Sequence, residues 1–308
     1  MTNEDSDIRL ERVSFDSDGA TLIGNLYRPA PRVTCDASAL EPAVVVTGTW
    51  TSVKEQMANR YAAKLAQRGL TALSFDFTGY GESGGEPRDY ESPELKVRDI
   101  HNAVTFLVAQ PGVDTDRIGA LGVCASAGYT AVNAARDSRV KVLALVAPWL
   151  HNAQIVREIY GGQDGVAQRT KAGEDARQRY EQTGEVAYVP AVSADDPLAA
   201  MPLHIDFYEN PARGALPQWP NRFAVMAWPG WLTFDPISLA PQLTTPTLVV
   251  HSEDAAVPQG AHQFLETFAG EITPVWTTGT QFDFYDQDPT VNSAADLAAE
   301  HFHSRLPS

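Results

Sequence analysis

The stretch Arg117-Ile118-Gly119-Ala120-Leu121-Gly122-Val123-Cys124-Ala125-Ser126-Ala127-Gly128-Tyr129 constrains the fold more than any other part of the chain. It opens as a short apolar run, passes through small residues, and continues into Ala131-Val132-Asn133-Ala134-Ala135-Arg136, which reads as a helix. A buried strand that enters a helix through a tight bend presents the bend residue as a nucleophile, and bulky neighbours would clash with the backbone there. Two registers are open. In one, Cys124 stands at the apex of Gly122-Val123-Cys124-Ala125-Ser126, with Ala127 and Gly128 letting the helix approach the sheet. In the other, Ser126 is the nucleophile and Cys124 fills the small position before it. A third reading makes Cys124 a small buried hydrophobe, the usual fate of a free cysteine.

On either side of the bend, strand and helix patterns alternate. Ile8 to Phe15 and Thr21 to Tyr27 alternate polar and apolar around Asp16-Ser17-Asp18-Gly19, a hairpin with one wet face. Val44-Val45-Val46 suits a strand covered on both sides. Helical spacing runs from Val53 through Arg68, with Gly69 as the stop. A buried strand over Leu70–Phe75, a helix over Pro93–Ala109 and a strand over Val140–Ala147 continue the series. Such alternation requires parallel crossovers, so the sequence predicts an α/β fold with a mostly parallel, doubly wound sheet. Ligands of such sheets bind at the carboxyl ends of the strands.

The alternation breaks after Ala147. Pro148 to Asp235 is rich in aromatic residues and proline, with helical pieces near Ala153–Tyr160 and Thr170–Thr183 and tryptophans at positions 219, 228 and 231. A long insertion between sheet strands reads as a helical cap or lid. A strand over Pro246–His251, a helix over Gln259–Phe268, a strand over Ile272–Trp276 and a helix over Ala294–Leu306 then complete the core. The expected partition is core over 1–147, cap over 148–235 and core again over 236–308.

The formal charge of -16 argues against a nucleic-acid partner and against adsorption to anionic membranes. The two cysteines, Cys35 in a polar loop and Cys124 at the bend, are not expected to pair, which fits a reduced cytoplasm. The acidic start Met1-Thr2-Asn3-Glu4-Asp5-Ser6-Asp7 carries no secretion signal, and no apolar segment reaches the roughly 18 residues of a membrane span. The histidines and carboxylates show no metal-ligand spacing. Gly79–Gly85 follows a strand but lacks the lysine and spacing of a phosphate loop, so no cofactor is expected. A homo-oligomer is compatible with the chain.

The order of parts resembles the α/β-hydrolase superfamily, within it the dienelactone-hydrolase-like branch that includes polyketide acyltransferases and bacterial esterases. The matching pieces are Val46-Thr47-Gly48-Thr49-Trp50, Val53-Lys54-Glu55-Gln56, Asp76-x-x-Gly79-x-Gly81-x-Ser83-Gly84-Gly85, the elbow at Gly122–Gly128, Val250-His251-Ser252-Glu253-Asp254 before Val257-Pro258, and Gly279-Thr280-Gln281-Phe282-Asp283-Phe284-Tyr285-Asp286. In that pattern the elbow falls at Cys124, which favours the thiol over Ser126. The resemblance implies an α/β-hydrolase fold, Cys124 as nucleophile, and an oxyanion hole from the backbone N–H of Ala125 and one from Thr49 or Trp50. Such donors stabilise charge that appears only as the acyl group is attacked. It also implies Asp254 as the acid that orients the base, with Glu253 as its neighbour in contention.

The pattern departs at Gln281, where the family carries its catalytic histidine. A glutamine cannot take a proton at neutral pH. Three readings follow. His151 supplies the base from the carboxyl edge of the sheet, His251, His301 and His303 having structural roles. Alternatively, a thiolate favoured by the helix terminus acts with Glu55 as proton acceptor or relay, and Gln281 orients substrate or water. In the third reading the chain is a non-hydrolytic member that binds or rearranges a ligand. The expected substrate is a small ester, lactone or thioester with a hydrophobic or aromatic acyl part, held by Trp149, Trp228, Trp231, Glu55 and Ser126.

Overall fold

The computed structural model of the protein describes residues 8–30 and 40–306; Cys35 lies outside them. Strands β1 (Ile8–Ser17) and β2 (Ala20–Pro29) form the expected hairpin. They join β3 (Glu41–Thr47), β4 (Thr71–Phe75), β5 (Val113–Val123) and β6 (Val140–Val146). A separate antiparallel pair, β7 (Tyr188–Pro190) and β8 (Arg222–Ala224), lies apart from that sheet. After it come β9 (Thr247–Ser252) and β10 (Ile272–Thr277). The eight-stranded sheet runs in the order β1-β2-β4-β3-β5-β6-β9-β10. Only β2 pairs antiparallel with its neighbours; every other pairing is parallel. This is the mostly parallel, doubly wound sheet that the alternating pattern predicts.

The central strands are apolar throughout because both faces are covered. Helix α1 (Ala58–Gln67) and the closing helix Asp288–Arg305 pack together on one face, and α2 (Pro93–Val108) and α3 (Ala125–Arg136) on the other. Ser92 caps α2 by accepting the Leu95 N–H, with Pro93 at the first helical position. α1 starts five residues later than expected, because Val53 to Met57 is held in turns by Gln56, whose Oε1 accepts the Val53 N–H and whose Nε2 donates to the Gly214 carbonyl. The closing helix starts earlier than expected, at Asp288. Its first turns carry Pro289, Thr290, Val291, Asn292 and Ser293, mostly weak helix formers that tertiary packing overrides.

Between β6 and β9 the chain leaves the sheet and builds α4 (Ala153–Ile159), α5 (Gly162–Thr183), the β7–β8 pair and a short helix over Trp228–Thr233. α5 begins before the expected piece at Thr170. Its Gly173 is required by packing: a side chain there would meet the Pro229 ring at 2.4 Å. Among the described residues no helix is long and apolar enough to cross a membrane.

Besides Asp18 in the turn between β1 and β2, four non-glycine residues with positive φ lie beyond the carboxyl ends of parallel strands. Thr51 (φ 54°) follows β3, Cys124 (φ 57°) β5, Ala147 (φ 41°) β6 and Val257 (φ 56°) β9. Such backbone costs of order 1–3 kcal/mol per residue and persists only where the surroundings over-determine it. Its concentration on one edge of the sheet marks where the fold is strained.

Candidate active site

The bend after β5 is built as its small residues require. Cys124 takes φ 57° and ψ -122° immediately before α3, while Ser126 lies inside the helix. A side chain at Gly122 would meet the Ser126 carbonyl oxygen at 2.6 Å and Ala127 Cα at 2.7 Å, so the glycine is what lets α3 lie this close to its own strand. Gly128 instead faces Phe234 and Pro236, away from the sheet approach expected of it. Ser126 is fully buried, its Oγ has no hydrogen-bond partner among the described residues, and it does not line the cavity.

Cys124 opens onto a cavity of about 450 Å³. Thr49, Ala125, Gln281 and Tyr285 border it beside the sulfur, and Trp50 and Phe282 also line it. Trp149, Tyr160 and Trp231 form one wall, and Met201, Ile205 and Tyr208 another. The size and predominantly apolar lining suit a small organic ligand. Burial pushes the Cys124 thiol above the ordinary thiol value, against contacts with Thr49, Tyr285, the Ala125 N–H and Gln281 that favour the thiolate. The orphan N–H groups at the start of α3 add to that second tendency.

Gln281 is held by three partners. Its Oε1 accepts the Ala256 N–H at 3.0 Å, and its Nε2 donates to the Ala147 carbonyl at 3.0 Å and to the Tyr285 hydroxyl at 3.2 Å. Tyr285 in turn lies 3.4 Å from the Thr49 hydroxyl. The amide therefore ties the β6 and β9 loops to the wall beside the sulfur. Tyr208 and Tyr285 were given no role from sequence, although Tyr285 lies four residues beyond Gln281 and within its side chain's reach.

The remaining partners expected from sequence are not gathered at the sulfur. Asp254 and Glu253 are both exposed; Asp254 is linked to its loop by its N–H to Ser252 Oγ, and Glu253 pairs with His262. His151 lies behind the cavity wall. Its Nδ1 accepts the Trp149 indole N–H at 3.0 Å, and Nε2 lies 3.1 Å from the Trp231 carbonyl, to which it donates in that tautomer. Burial lowers it to about 4, so it is neutral and holds two tryptophans in place. Glu55 does not line the cavity: Lys54 Nζ sits among Glu55, Asp76 and Glu82, 2.7 Å from each. That ammonium occupies the middle of the acidic cluster, which accounts for the cluster without a metal ion. Trp149 and Trp231 line the cavity as expected, but Trp228 packs behind it against Phe223, Tyr160 and Trp50.

A buried ion pair missed from sequence sits under the loop after β3. Glu91 and Lys96 are 2.7 Å apart with almost no exposure. Glu91 Oε2 accepts the Thr51 N–H at 2.8 Å and Oε1 accepts the Tyr129 hydroxyl of α3 at 2.7 Å. From the other side Trp219 donates its indole N–H to the Thr51 carbonyl at 2.7 Å. Thr51 is thus clamped at both ends of its backbone, next to Trp50. One carboxylate links the β3 loop to the helix that carries Cys124, fixing the two halves of the cavity floor relative to each other.

Comparison with known proteins places this geometry. The sequence profile described as the alpha/beta hydrolase family matches residues 43–294. The uncharacterized protein YcjY of Escherichia coli K12 is 33% identical over 275 residues, 86% of this chain and 89% of YcjY. Thiohydrolase aneE of Aspergillus aculeatus is 36% identical over 171 residues, 51% of each chain. The crystal structure of hypothetical protein PA2218 from Pseudomonas aeruginosa superimposes with a TM-score of 0.84 at 24% identity, covering 98% of this chain and 95% of that one.

Proposed function

We propose that this chain, which belongs to the alpha/beta hydrolase family, is an acyl-transfer enzyme that takes its acyl group from a thioester through Cys124. The observation that carries the reading is the pairing of a strained thiol at the elbow with an amide, Gln281, in place of a base. The sulfur of Cys124 attacks the thioester carbonyl, a new S–C bond forms, the substrate's C–S bond breaks, and the thiol proton leaves with the departing thiolate. Nucleophile and leaving group are both thiols, so this exchange balances without a general base. An oxygen ester would expel an alkoxide, which needs a proton donor that Gln281 does not supply. The N–H groups of Ala125 and of Thr49 or Trp50 would carry the tetrahedral oxyanion.

The second half of the reaction follows from the same geometry. Water is a poor acceptor without a base, so the acyl-enzyme persists until a better nucleophile arrives, and hydrolysis is slow. The apolar cavity fits a hydrophobic acyl part, with residues 148–235 acting as its cap. His151 and Glu55 have no proton-transfer role here, and Asp254 no base to orient. The similarity to a thiohydrolase over half the chain supports the thioester preference. The test compares a thioester and an oxygen ester of one acyl group: a kcat/KM ratio above about 100 that vanishes in Cys124→Ala is expected, and comparable turnover of both contradicts it.

A second reading is favoured by the burial that keeps the thiol protonated. In it the cavity binds a ligand without forming an acyl-enzyme, and Cys124→Ala leaves ligand affinity and any activity unchanged.

A further inference from the structure

Arg169 is the charged side chain among the residues that line the cavity, in a protein of formal charge -16. It lies on α5 at the cavity rim near Ile159 and Tyr160, and it is partly buried. Its Nη1 donates to the carbonyls of Tyr160 at 3.1 Å and Gly165 at 3.2 Å. Its guanidinium carbon stands 5.2 Å from the Tyr160 ring centroid and 5.5 Å from that of Trp228. These contacts hold the plane still and leave Nε and Nη2 with no acceptor among the described residues. The surface arginines of this chain mostly pair with carboxylates, as Arg213 does with Asp206 and Asp286. Arg169 has no carboxylate partner among the described residues, and the residues that line the cavity include no acid.

An immobilised guanidinium with an open two-donor edge, facing a largely apolar enclosure, is built for a planar or tetrahedral anion. The neighbouring rings lower the local polarity and strengthen the attraction. Arg169 packs over Trp228, whose ring meets Trp50 behind the cavity wall, and Trp50 and Trp231 line the cavity that Arg169 shares with Cys124. An anion held by Arg169 is therefore separated from the reacting carbonyl by an apolar stretch of the same molecule.

We propose that Arg169 is a specificity-determining residue that binds an anionic group carried by the substrate away from its reacting carbonyl. This rests on the acyl-transfer reading for its substrate, but the binding arm below does not depend on turnover. Two sources present the same chemistry: a carboxylate at the far end of the acyl chain, or the phosphates of a leaving group such as coenzyme A.

The experiment has three arms, each run on the full chain and on Arg169→Gln and Arg169→Lys. The first measures binding of monomethyl suberate and of dimethyl suberate to the Cys124→Ala protein by quenching of the cavity tryptophans. The second compares kcat/KM for N-acetylcysteamine thioesters of octanoate and of its ω-carboxy counterpart. The third compares octanoyl-coenzyme A with octanoyl-N-acetylcysteamine. The anionic member of at least one pair is expected to be preferred by about tenfold, as one charge-assisted hydrogen-bonded pair provides. That ratio falls towards one in Arg169→Gln and is partly kept in Arg169→Lys. The pair that responds identifies the source. A purely structural Arg169 would lower both members of each pair together and leave the ratios unchanged, which overturns the proposal, as does the absence of any preference in the parent protein. If no thioester turns over but monomethyl suberate still binds preferentially through Arg169, the acyl-transfer reading fails and this inference stands.

Discussion

Gln281 Oε1 accepts the backbone N–H of Ala256 at 3.0 Å, so this side chain holds the loop that carries Asp254. Its other end reaches the Ala147 carbonyl, on a residue whose φ of 41° needs such support. The glutamine is a structural tie across two strained loops, placed beside Cys124.

Replacing that tie by a histidine should supply the base that the proposed reaction does without. Gln281→His is expected to raise steady-state hydrolysis of p-nitrophenyl octanoate by tenfold or more, since a positioned base contributes about 10²–10⁴ where fully oriented. The gain should fall short of that range because Asp254 is exposed and the hydrogen bonds of the Gln281 side chain go to Ala256, Ala147 and Tyr285 instead. A folded variant with no gain would show that something besides the base is lacking.

The thiol should behave as a protonated group at neutral pH. Burial raises Cys124 above the ordinary thiol value, so its alkylation by iodoacetamide should still be climbing at pH 9, where an exposed thiol of pKa about 8.5 is levelling off. A plateau reached by pH 7 would mean that the helix terminus and the surrounding donors win over burial.

Breaking the Glu91–Lys96 pair should cost both stability and geometry. Glu91→Gln leaves the Lys96 ammonium buried without its counter-charge, a loss of about 3–5 kcal/mol in urea unfolding. Adding Lys96→Met should recover part of it. Acylation of Cys124 should stay impaired in the double variant, because the Thr51 N–H and the Tyr129 hydroxyl no longer share one carboxylate. Full recovery of acylation would assign the pair to stability alone.

Three buried histidines, His151, His251 and His301, are lowered by burial and make the fold acid-sensitive. His151 and His251 are both lowered to about 4 by burial. Below about pH 6.5 the unfolded chain takes up protons that the folded chain refuses, so stability is present above that pH and is lost down to about pH 4. His151 and His251 each account for up to about 3 kcal/mol of the loss. Both ring nitrogens of His251 are buried without a hydrogen-bond partner among the described residues. His251→Leu should therefore keep or raise stability at pH 7 and flatten the fall between pH 7 and pH 5. An unchanged pH slope of the urea midpoint would exclude His251 from the effect.

The sheet was legible because period and chain order are local signals. Val44-Val45-Val46 and Gly122 through Ala127 each state their burial or their bend in a few residues, and the structure builds them so. The replacement at Gln281 was equally visible, as a departure from an expected type. The partners of each side chain were not, because they are set by contacts distant in sequence. His151 looked available until the indole of Trp149 and the carbonyl of Trp231 engaged its ring. Glu55 looked free until Lys54 was seen among three carboxylates. Glu91 and Lys96 gave no sequence signal: charged residues just before and in the first turn of a helix usually face solvent, and only the fold buries this pair.

The most direct measurement is the intact mass of the purified protein after brief exposure to octanoyl-N-acetylcysteamine and, separately, to ethyl octanoate. The account predicts one octanoyl adduct from the thioester, absent in Cys124→Ala, kept in Ser126→Ala and His151→Ala, slow to disappear in water, and no adduct from the oxygen ester. No adduct from the thioester, or an adduct that survives Cys124→Ala, would contradict it.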